Sequence, residues 1–484
     1  MNMNQRMARV FSVLLATFAA IVLLLSWWQL LAAGELRAKS SNNQRAYYEQ
    51  RVKRGEIVSA DGVVLARSRS ETTKNGDVVW HRRYPERALA AHATGYSTIG
   101  RSRSGVEKSF NDYLTGPTRE LATVISKLRG EDAIEGDSLK LTLDARAQRV
   151  AVKALGTRRG SVVALDPTTG KVLVMASTPG YDPNRVENGY GSILKNPGAP
   201  LLNRSTQALY PPGSTFKVVV AAAALADGVK PTDTFPGGTM VKVKSGPPVS
   251  NYFNESVRSH DLTYALTNSV NITFARLGEQ LGQTRLRKQM DAFGFDESPP
   301  LDDLPSNERK TSGLYDPVSG KLMGADEGVD EARFAIGQER LLVTPLQMAM
   351  VAAAIANHGE LMKPYLVDSA SAPDGHRSYT AQPQKDRTAI SRPVADELTT
   401  MMQQVVKEGT GTAAALQGLD VAGKTGTADK GNTVQVWFIA FVPGEKSRVA
   451  IAVTIEGQAP GSVGGTIAAP VAKLVMESLL RSHA

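Results

Sequence analysis

Tyr210-Pro211-Pro212-Gly213-Ser214-Thr215-Phe216-Lys217, followed by Val218-Val219-Val220 and an alanine run that ends at Gly228, joins a turn to an apolar helix. The prolines and glycine predict the turn, with the helix beginning at Ser214. Residues three apart share a helix face, which puts the Lys217 amine within reach of the Ser214 hydroxyl. A lysine half-desolvated against such a helix has a lowered pKa and can act as a base, activating a hydroxyl nucleophile without histidine. The plainer reading of Ser214 is a helix N-cap. A chain of this composition holds about two Ser-x-x-Lys matches by chance, and a second one is present, Ser192-Ile193-Leu194-Lys195. Its neighbours Gly189, Gly191, Asn196, Pro197 and Gly198 predict a loop with no helix to hold the spacing.

Upstream, Ser161–Leu165, the turn Asp166-Pro167-Thr168-Thr169-Gly170 and Lys171–Met175 predict a hairpin and a domain start at about Gly160. From about residue 200 to 410 the apolar period is helical, at Val218–Leu225, Leu262–Leu281, Pro345–Asn357 and Ala395–Val406. Beyond Lys424 the strand texture returns: Thr433–Pro443 and Arg448–Gly457 flank a Pro443-Gly444 turn, and Ala468–Ser482 has the spacing of a closing helix. Strands from both ends of the region with helices between them predict an α+β architecture built on an antiparallel sheet with a helical subdomain.

Two more short elements carry chemistry-bearing residues. Ser269-Val270-Asn271 follows a helical stretch that can break there, placing a hydroxyl and an amide toward one cleft; a pair of turn residues is the alternative, and Ser40-Ser41-Asn42 repeats the pattern elsewhere. Gly423-Lys424-Thr425-Gly426-Thr427-Ala428 is the only Lys-Thr-Gly in the chain. A strand at this point can supply a fixed cation, hydroxyls for a carboxylate and a backbone N–H for an oxyanion, or it can be an ordinary surface strand end.

Val10–Gly34 carries no charge and is long enough to cross a hydrocarbon core of about 30 Å. It predicts one uncleaved transmembrane helix with Trp27 and Trp28 as interfacial anchors, although Ala32-Ala33 resembles a signal-peptidase site. Arg6 and Arg9 mark the short N-terminal tail as cytoplasmic, which places the remaining chain outside. Arg37, Lys39, Arg45, Arg51, Lys53 and Arg54 just beyond the span run against a naive charge rule, but long domains translocate largely regardless of charge.

The 484 residues predict roughly three units at about 150 residues each. Zero cysteines exclude disulfide frameworks, thiol catalysis and cysteine-ligated metals, and six scattered histidines argue against a histidine metal site. Of the formal +9, residues 1–159 carry 26 Lys+Arg against 15 Asp+Glu and the remainder 30 against 32, so the basic surplus is N-terminal. Beside a membrane segment this suits anionic lipid or envelope polymer better than nucleic acid, for which no aromatic-interleaved basic motif appears; solvated surface charge is the bland alternative. Residues 35–158 predict small strands and helices without a large core, with Glu56-Ile57-Val58 and Val63-Val64-Leu65 around an Asp61-Gly62 turn.

Taken in order, Ser214–Lys217, Ser269–Asn271 and Lys424–Gly426 resemble the signature of penicillin-binding proteins and serine β-lactamases, S-x-x-K, S-D-N and K-T-G, with Val270 replacing the aspartate. The resemblance is to class B penicillin-binding proteins, most of all the actinobacterial penicillin-binding protein A group. Arg54-Gly55-Glu56-Ile57 with Asp61-Gly62, and Gly105-Val106-Glu107 through Leu114-Thr115-Gly116, are similar to that family's pedestal. Leu141–Asp144 with Gln148, Gly337-Gln338 with Thr344–Gln347, Gly409-Thr410-Gly411, and Trp437-Phe438 with Phe441 and Pro443 are similar to its transpeptidase segments. The implied organisation is a tail over 1–9, an anchor over 10–34, a pedestal over 35–158 and a transpeptidase domain over 159–484.

The resemblance implies a peptidoglycan D,D-transpeptidase acylated by β-lactams, with no metal or organic cofactor. Ser214 attacks the penultimate D-alanine carbonyl of a stem peptide and Lys217 takes its proton. Ser269 relays a proton to the leaving amine, Asn271 holds the donor peptide, and Lys424 sets the field for Ser269. Thr425 and Thr427, with Gly426 between them, bind the terminal carboxylate, and the N–H groups of Ser214 and Thr427 form the oxyanion hole. Glu107 and the strand near Gly55 read as structural. The implied partners are stem peptides, β-lactams and a polytopic membrane glycosyltransferase of the shape-elongation-division-sporulation type. A β-lactamase or D,D-carboxypeptidase shares all three motifs, and a non-catalytic penicillin sensor is the third reading.

Overall fold

The computed structural model describes residues 3–27, 50–99, 102–116, 134–244, 246–324, 327–444 and 449–482. Helix α1 (Met3–Trp27) covers most of the predicted span, and Phe11, Leu14, Leu15, Phe18, Ile21 and Leu24 stand exposed along it, as side chains destined for lipid would. Trp28, Ala32-Ala33 and the basic residues Arg37, Lys39 and Arg45 lie outside the described residues.

Strands β1 (Ile57–Val58), β2 (Val64–Thr72), β3 (Val78–Arg83) and β4 (Ser138–Leu141) precede helix α2 (Ala145–Leu155) and the hairpin β5 (Gly160–Leu165) and β6 (Val172–Thr178). Helices α3 (Lys217–Ala226), α4 (Leu262–Thr267), α5 (Asn271–Ala292) and α6 (Pro345–Ala356) follow, then β7 (Val367–Ser371), β8 (Arg377–Thr380) and α7 (Arg392–Lys407). The described chain closes with β9 (Ala422–Lys430), β10 (Thr433–Phe441), β11 (Ala450–Gln458) and α8 (Gly464–Ser482).

Five of these strands form one antiparallel sheet in the order β9-β10-β11-β5-β6, drawn from both ends of the region as its texture predicts. Successive side chains of a strand point to opposite faces. Val163 and Leu165 of β5 and Trp437, Ile439 and Phe441 of β10 join the core shared with α6, while Val162, Ala164, Val436, Phe438 and Ala440 join the core under α2 and α8. Both faces are covered, which is why these strands read as continuous apolar runs. Helix α3 runs through the middle of the helical lobe with Val218–Leu225 buried, packed against α5 and α7.

A six-stranded sheet, in the order β8-β7-β4-β1-β2-β3, corrects the expectation of a pedestal without a large core. Its strands β7 and β8 come from beyond the helical lobe, and Ile57, Leu65, Leu114 and Leu139 belong to the same buried cluster as α3 and α6. Strands this short bury too little on their own, and borrowed strands complete the layer. The Asp61 carboxylate, at the β1–β2 turn, accepts the Ser59 hydroxyl and the amides of Ala145 and Arg146 at the start of α2, beside the Asp144 cap. Burial would raise its pKa, but these hydrogen bonds win and lower it. Helix α2 itself lies against α8 and β6.

Candidate active site

Gly213–Phe216 form a 3-10 turn that passes into α3 at Lys217, so the α-helix proper starts three residues later than the sequence predicts. Gly213 has φ +53°, and a Cβ there would stand 2.4 Å from the Thr427 carbonyl oxygen. Its N–H donates to the Gly337 carbonyl at 2.9 Å. Gly337 is also left-handed, and its own Cβ would fall 1.9 Å from the Gly213 oxygen, so two glycines let three backbone segments meet. Tyr210 and Val343 exchange backbone hydrogen bonds of 3.0 and 2.8 Å, and the Trp437 indole N–H donates to the Pro211 carbonyl at 3.0 Å. These contacts press half-buried Ser214 against β9, with the Thr427 amide nitrogen next to Gly213.

Lys217 is fully buried beneath that turn. Its Nζ donates to the Ser269 carbonyl at 2.8 Å and to Asn271 Oδ1 at 2.7 Å, and lies 3.3 Å from Ser269 Oγ. The Ser214 hydroxyl is not among its hydrogen-bond partners, although the two residues are neighbours across one turn. Lys424 Nζ approaches from β9, donating to Ser269 Oγ and to the Thr425 carbonyl, each at 3.0 Å. Ser269 Oγ therefore sits between two buried amines.

Burial, reinforced by the Lys424 charge, holds the Lys217 amine well below the usual lysine range. Burial alone brings Lys424 down to about 7. A neutral amine has two N–H donors and one lone pair; two oxygens that can only accept take both donors of Lys217, leaving the lone pair for a hydroxyl proton.

Ser269 lies at the break between α4 and α5 and has φ +58°, a conformation that costs a non-glycine residue roughly 1–2 kcal/mol. Val270 is buried beside it, in a position where an aspartate would need a partner. Asn271 opens α5, and its Nδ2 donates to the Ser250 carbonyl at 2.8 Å, which aims Oδ1 at Lys217. Thr425 and Thr427 stand on β9 on either side of Gly426, and the Thr425 hydroxyl lies 2.7 Å from that of Thr410.

The structure thus gathers Ser214, Lys217, Ser269, Asn271, Lys424, Thr425 and Thr427 where a turn, a helix break and a strand meet. Sequence reasoning assigned no role to Thr410, although Gly409-Thr410-Gly411 marked the place. It missed the support behind the turn, where Tyr210 OH and Arg204 Nε both donate to Glu456 Oε1, at 2.6 and 2.7 Å. The second Ser-x-x-Lys corrects an expectation: Ser192 lies on a surface helix, Val186–Leu194, not in a loop. Buried Val186 and the Asp182-capped turn ahead hold that helix despite its glycines, and the Ser192 hydroxyl donates to the Gly189 carbonyl.

Residues 160–477 match the penicillin binding protein transpeptidase domain, and residues 54–138 match the penicillin binding protein A dimerisation domain. The chain belongs to the penicillin-binding protein transpeptidase family. Within it, the chain is 33% identical over 505 residues to peptidoglycan D,D-transpeptidase PbpA of Mycolicibacterium smegmatis, covering 99% of each. It is 32% identical to PbpA of Mycobacterium tuberculosis, covering 99% of this chain and 100% of that protein. The solved ceftriaxone acyl-enzyme complex of penicillin-binding protein A from M. tuberculosis superposes with a TM-score of 0.80 at 32% identity, over 89% of this chain and 99% of that one.

Proposed function

We infer that this chain is a peptidoglycan D,D-transpeptidase and that Ser214 is its nucleophile. The observation that carries the assignment is Lys217, fully buried, its amine held well below the usual lysine range and engaged by the Ser269 carbonyl and Asn271 Oδ1. Ser214 Oγ attacks the carbonyl carbon of the penultimate D-alanine while its proton passes to Lys217 Nζ. The backbone N–H groups of Ser214 and Thr427 receive the oxyanion, and Thr425 and Thr427 hold the terminal carboxylate. When the C–N bond breaks, Ser269 Oγ–H protonates the departing D-alanine amine and is refilled from Lys217, leaving a neutral ester. An amine of a second stem peptide then attacks the ester, its proton returns to Ser214 through the same groups, and the new amide is the cross-link. A β-lactam enters the first half-reaction, its ring nitrogen staying attached as the leaving group.

The test is full-length protein incubated with uncross-linked glycan carrying pentapeptide stems, followed by muropeptide analysis. Cross-linked dimers with one D-alanine released per link are expected, and none from Ser214→Ala. Tetrapeptide monomers without dimers would instead make the protein a hydrolase.

The same proposal takes 1–9 as a cytoplasmic tail, 10–34 as a single-pass anchor, 35–158 as the pedestal and 159–484 as an extracytoplasmic catalytic domain. The apolar α1 and the two matched family segments support this division. The pedestal and anchor are also the proposed contact with a polytopic membrane glycosyltransferase that polymerises glycan. Co-purification surviving replacement of both segments would remove that partner assignment.

A further inference from the structure

The cleft at Ser214 has two walls whose outer ends take no part in the acyl transfer. One wall is β9, the edge strand of its sheet, paired to β10 without a bulge from Ala422 to Lys430. Alternation along a strand puts Thr425, Thr427 and Asp429 on one face, and their exposure rises in that order, from buried Thr425 to exposed Asp429. The Asp429 carboxylate has neither an ion pair nor a hydrogen bond among the described residues. The other wall follows Val249-Ser250. The Ser250 carbonyl accepts from Asn271 Nδ2, the Ile272 N–H donates to Asn251 Oδ1 at 3.2 Å, and Asn251 Nδ2 donates to the carbonyls of Gly238 and Glu255 at 3.1 and 3.0 Å. So fastened to the start of α5, the turn Tyr252–Asn254 presents Tyr252, 45% exposed, and Phe253, 74% exposed, with ring centroids 4.3 Å apart. Phe253 has φ +51° and Asn254 φ +54°. A bulky residue is rarely left-handed, and the ring that this strain holds outward packs into neither core. Burial, and then the Asp429 charge, raise the pKa of the Tyr252 phenol. The aromatic pair and the carboxylate thus lie close together at the outer end of the cleft.

The donor peptide runs between these walls. In the mechanism above its terminal carboxylate lies at Thr425 and Thr427 and its scissile carbonyl at the Thr427 N–H. An extended chain laid along the open edge of β9 advances about 3.3 Å per residue, so in the same direction the residue ahead of the D-alanine pair comes level with Asp429, two positions beyond Thr427. In a stem peptide that residue also supplies the side-chain amine that attacks a neighbouring acyl-enzyme, so it is a diamino acid, an aliphatic stem ending in an ammonium. Aromatic faces suit both the stem and the cation, and a carboxylate without a partner suits the cation.

We propose that Tyr252, Phe253 and Asp429 form a subsite for the side-chain ammonium of the diamino residue that precedes the D-alanine pair in the donor stem, making the protein selective for donors whose amine is free. The proposal rests on the transpeptidase reading of Ser214 and adds to it the group by which a donor is chosen.

The probes are two soluble donors, Nα-acetyl-L-lysyl-D-alanyl thioglycolate and its Nε-acetylated form, in which thioglycolate replaces the terminal D-alanine and keeps its carboxylate. They are offered to full-length protein in uncharged detergent. Attack of Ser214 Oγ on the thioester carbonyl forms the acyl ester and expels the thiolate, which a disulfide reagent reports; the chain has no cysteine to add background. The second-order rate constant of the wild type should be about tenfold higher for the free ammonium, the combined effect of a cation–π contact and an ion pair. Asp429→Asn should bring the two rate constants within about twofold. Phe253→Gly, at ease at a positive φ, should melt no lower than the wild type and lose most of the preference. Equal use of both donors by the wild type, or an undiminished preference in folded Asp429→Asn or Phe253→Gly, would overturn the subsite and leave the Ser214 assignment standing. Thiol release from neither donor also overturns it, and penicillin labelling of the same preparation then shows whether the Ser214 assignment falls with it.

Discussion

At Lys217 the difference between an ordinary lysine and a base is set by burial and by the neighbouring Lys424 charge. Lys217→Arg puts a permanently protonated group where a neutral amine must accept the Ser214 proton, so acylation by a fluorescent penicillin should fall by roughly 10²–10⁴-fold, the usual worth of a general base. The pH profile follows with its sign. Acylation needs Lys217 neutral, so the second-order rate constant rises with pH through a value well below the usual lysine range. It also needs Lys424 charged, so it falls again as pH passes about 7, where that amine loses its proton. Acylation rates collected across this range check both limbs. A profile that climbs uninterrupted to the ordinary lysine pKa, about 10.4, would exclude Lys217 as the base.

The meeting of the Ser214 turn with its neighbours depends on backbone more than on side chains. Gly337→Ala places a methyl group 1.9 Å from the Gly213 oxygen at a left-handed position. Its expected effects are a stability loss of about 1–3 kcal/mol and a large loss of acylation, because the strain displaces the turn that carries Ser214. Gly191→Ala, with open space around it on the surface helix, should leave stability the same or raise it by up to about 1 kcal/mol. Melting temperatures and penicillin labelling of the two variants test the contrast. What could be read from the sequence divides along the same line. The Ser214–Lys217 spacing is local, and β5, β6, β10 and β11 announce themselves because both of their faces are buried. Thr410 against Thr425, Gly337 against Gly213 and Glu456 behind Tyr210 join residues far apart in the chain, and no periodicity encodes such contacts. Ser138–Leu141 is four residues with alternating polarity, paired to β7 more than two hundred residues on, and nothing local marks it as the middle of a sheet. The helix at Val186–Leu194 escaped because its glycines discount helix propensity while the contact that holds it, burial of Val186, is tertiary.

Across the whole molecule the pedestal and the catalytic region are tied by shared strands and by polar contacts such as the Glu308 carboxylate accepting the Gly105 amide at 3.1 Å. Glu107 is the charged centre of the pedestal. Burial works against its charge, but Arg82 and Arg54 outweigh it and hold its pKa down to about 2. A carboxylate depressed in the folded state contributes stability that is complete above its unfolded value and lost as pH falls through the folded one. From the ordinary value of 4.5 this amounts to roughly 3 kcal/mol. Glu107→Gln should therefore be less stable at neutral pH, and the difference should shrink as pH falls from about 4.5 toward 2; denaturant midpoints of both proteins across that window measure it. The central assignment, Ser214 as a nucleophile whose acyl-enzyme awaits an amine and not water, is tested most directly by labelling the full-length protein with a fluorescent penicillin and chasing the adduct. The expected result is covalent label that is absent in Ser214→Ala and persists for many minutes in the wild type. Equal labelling of Ser214→Ala, or release of the label within seconds, would contradict it.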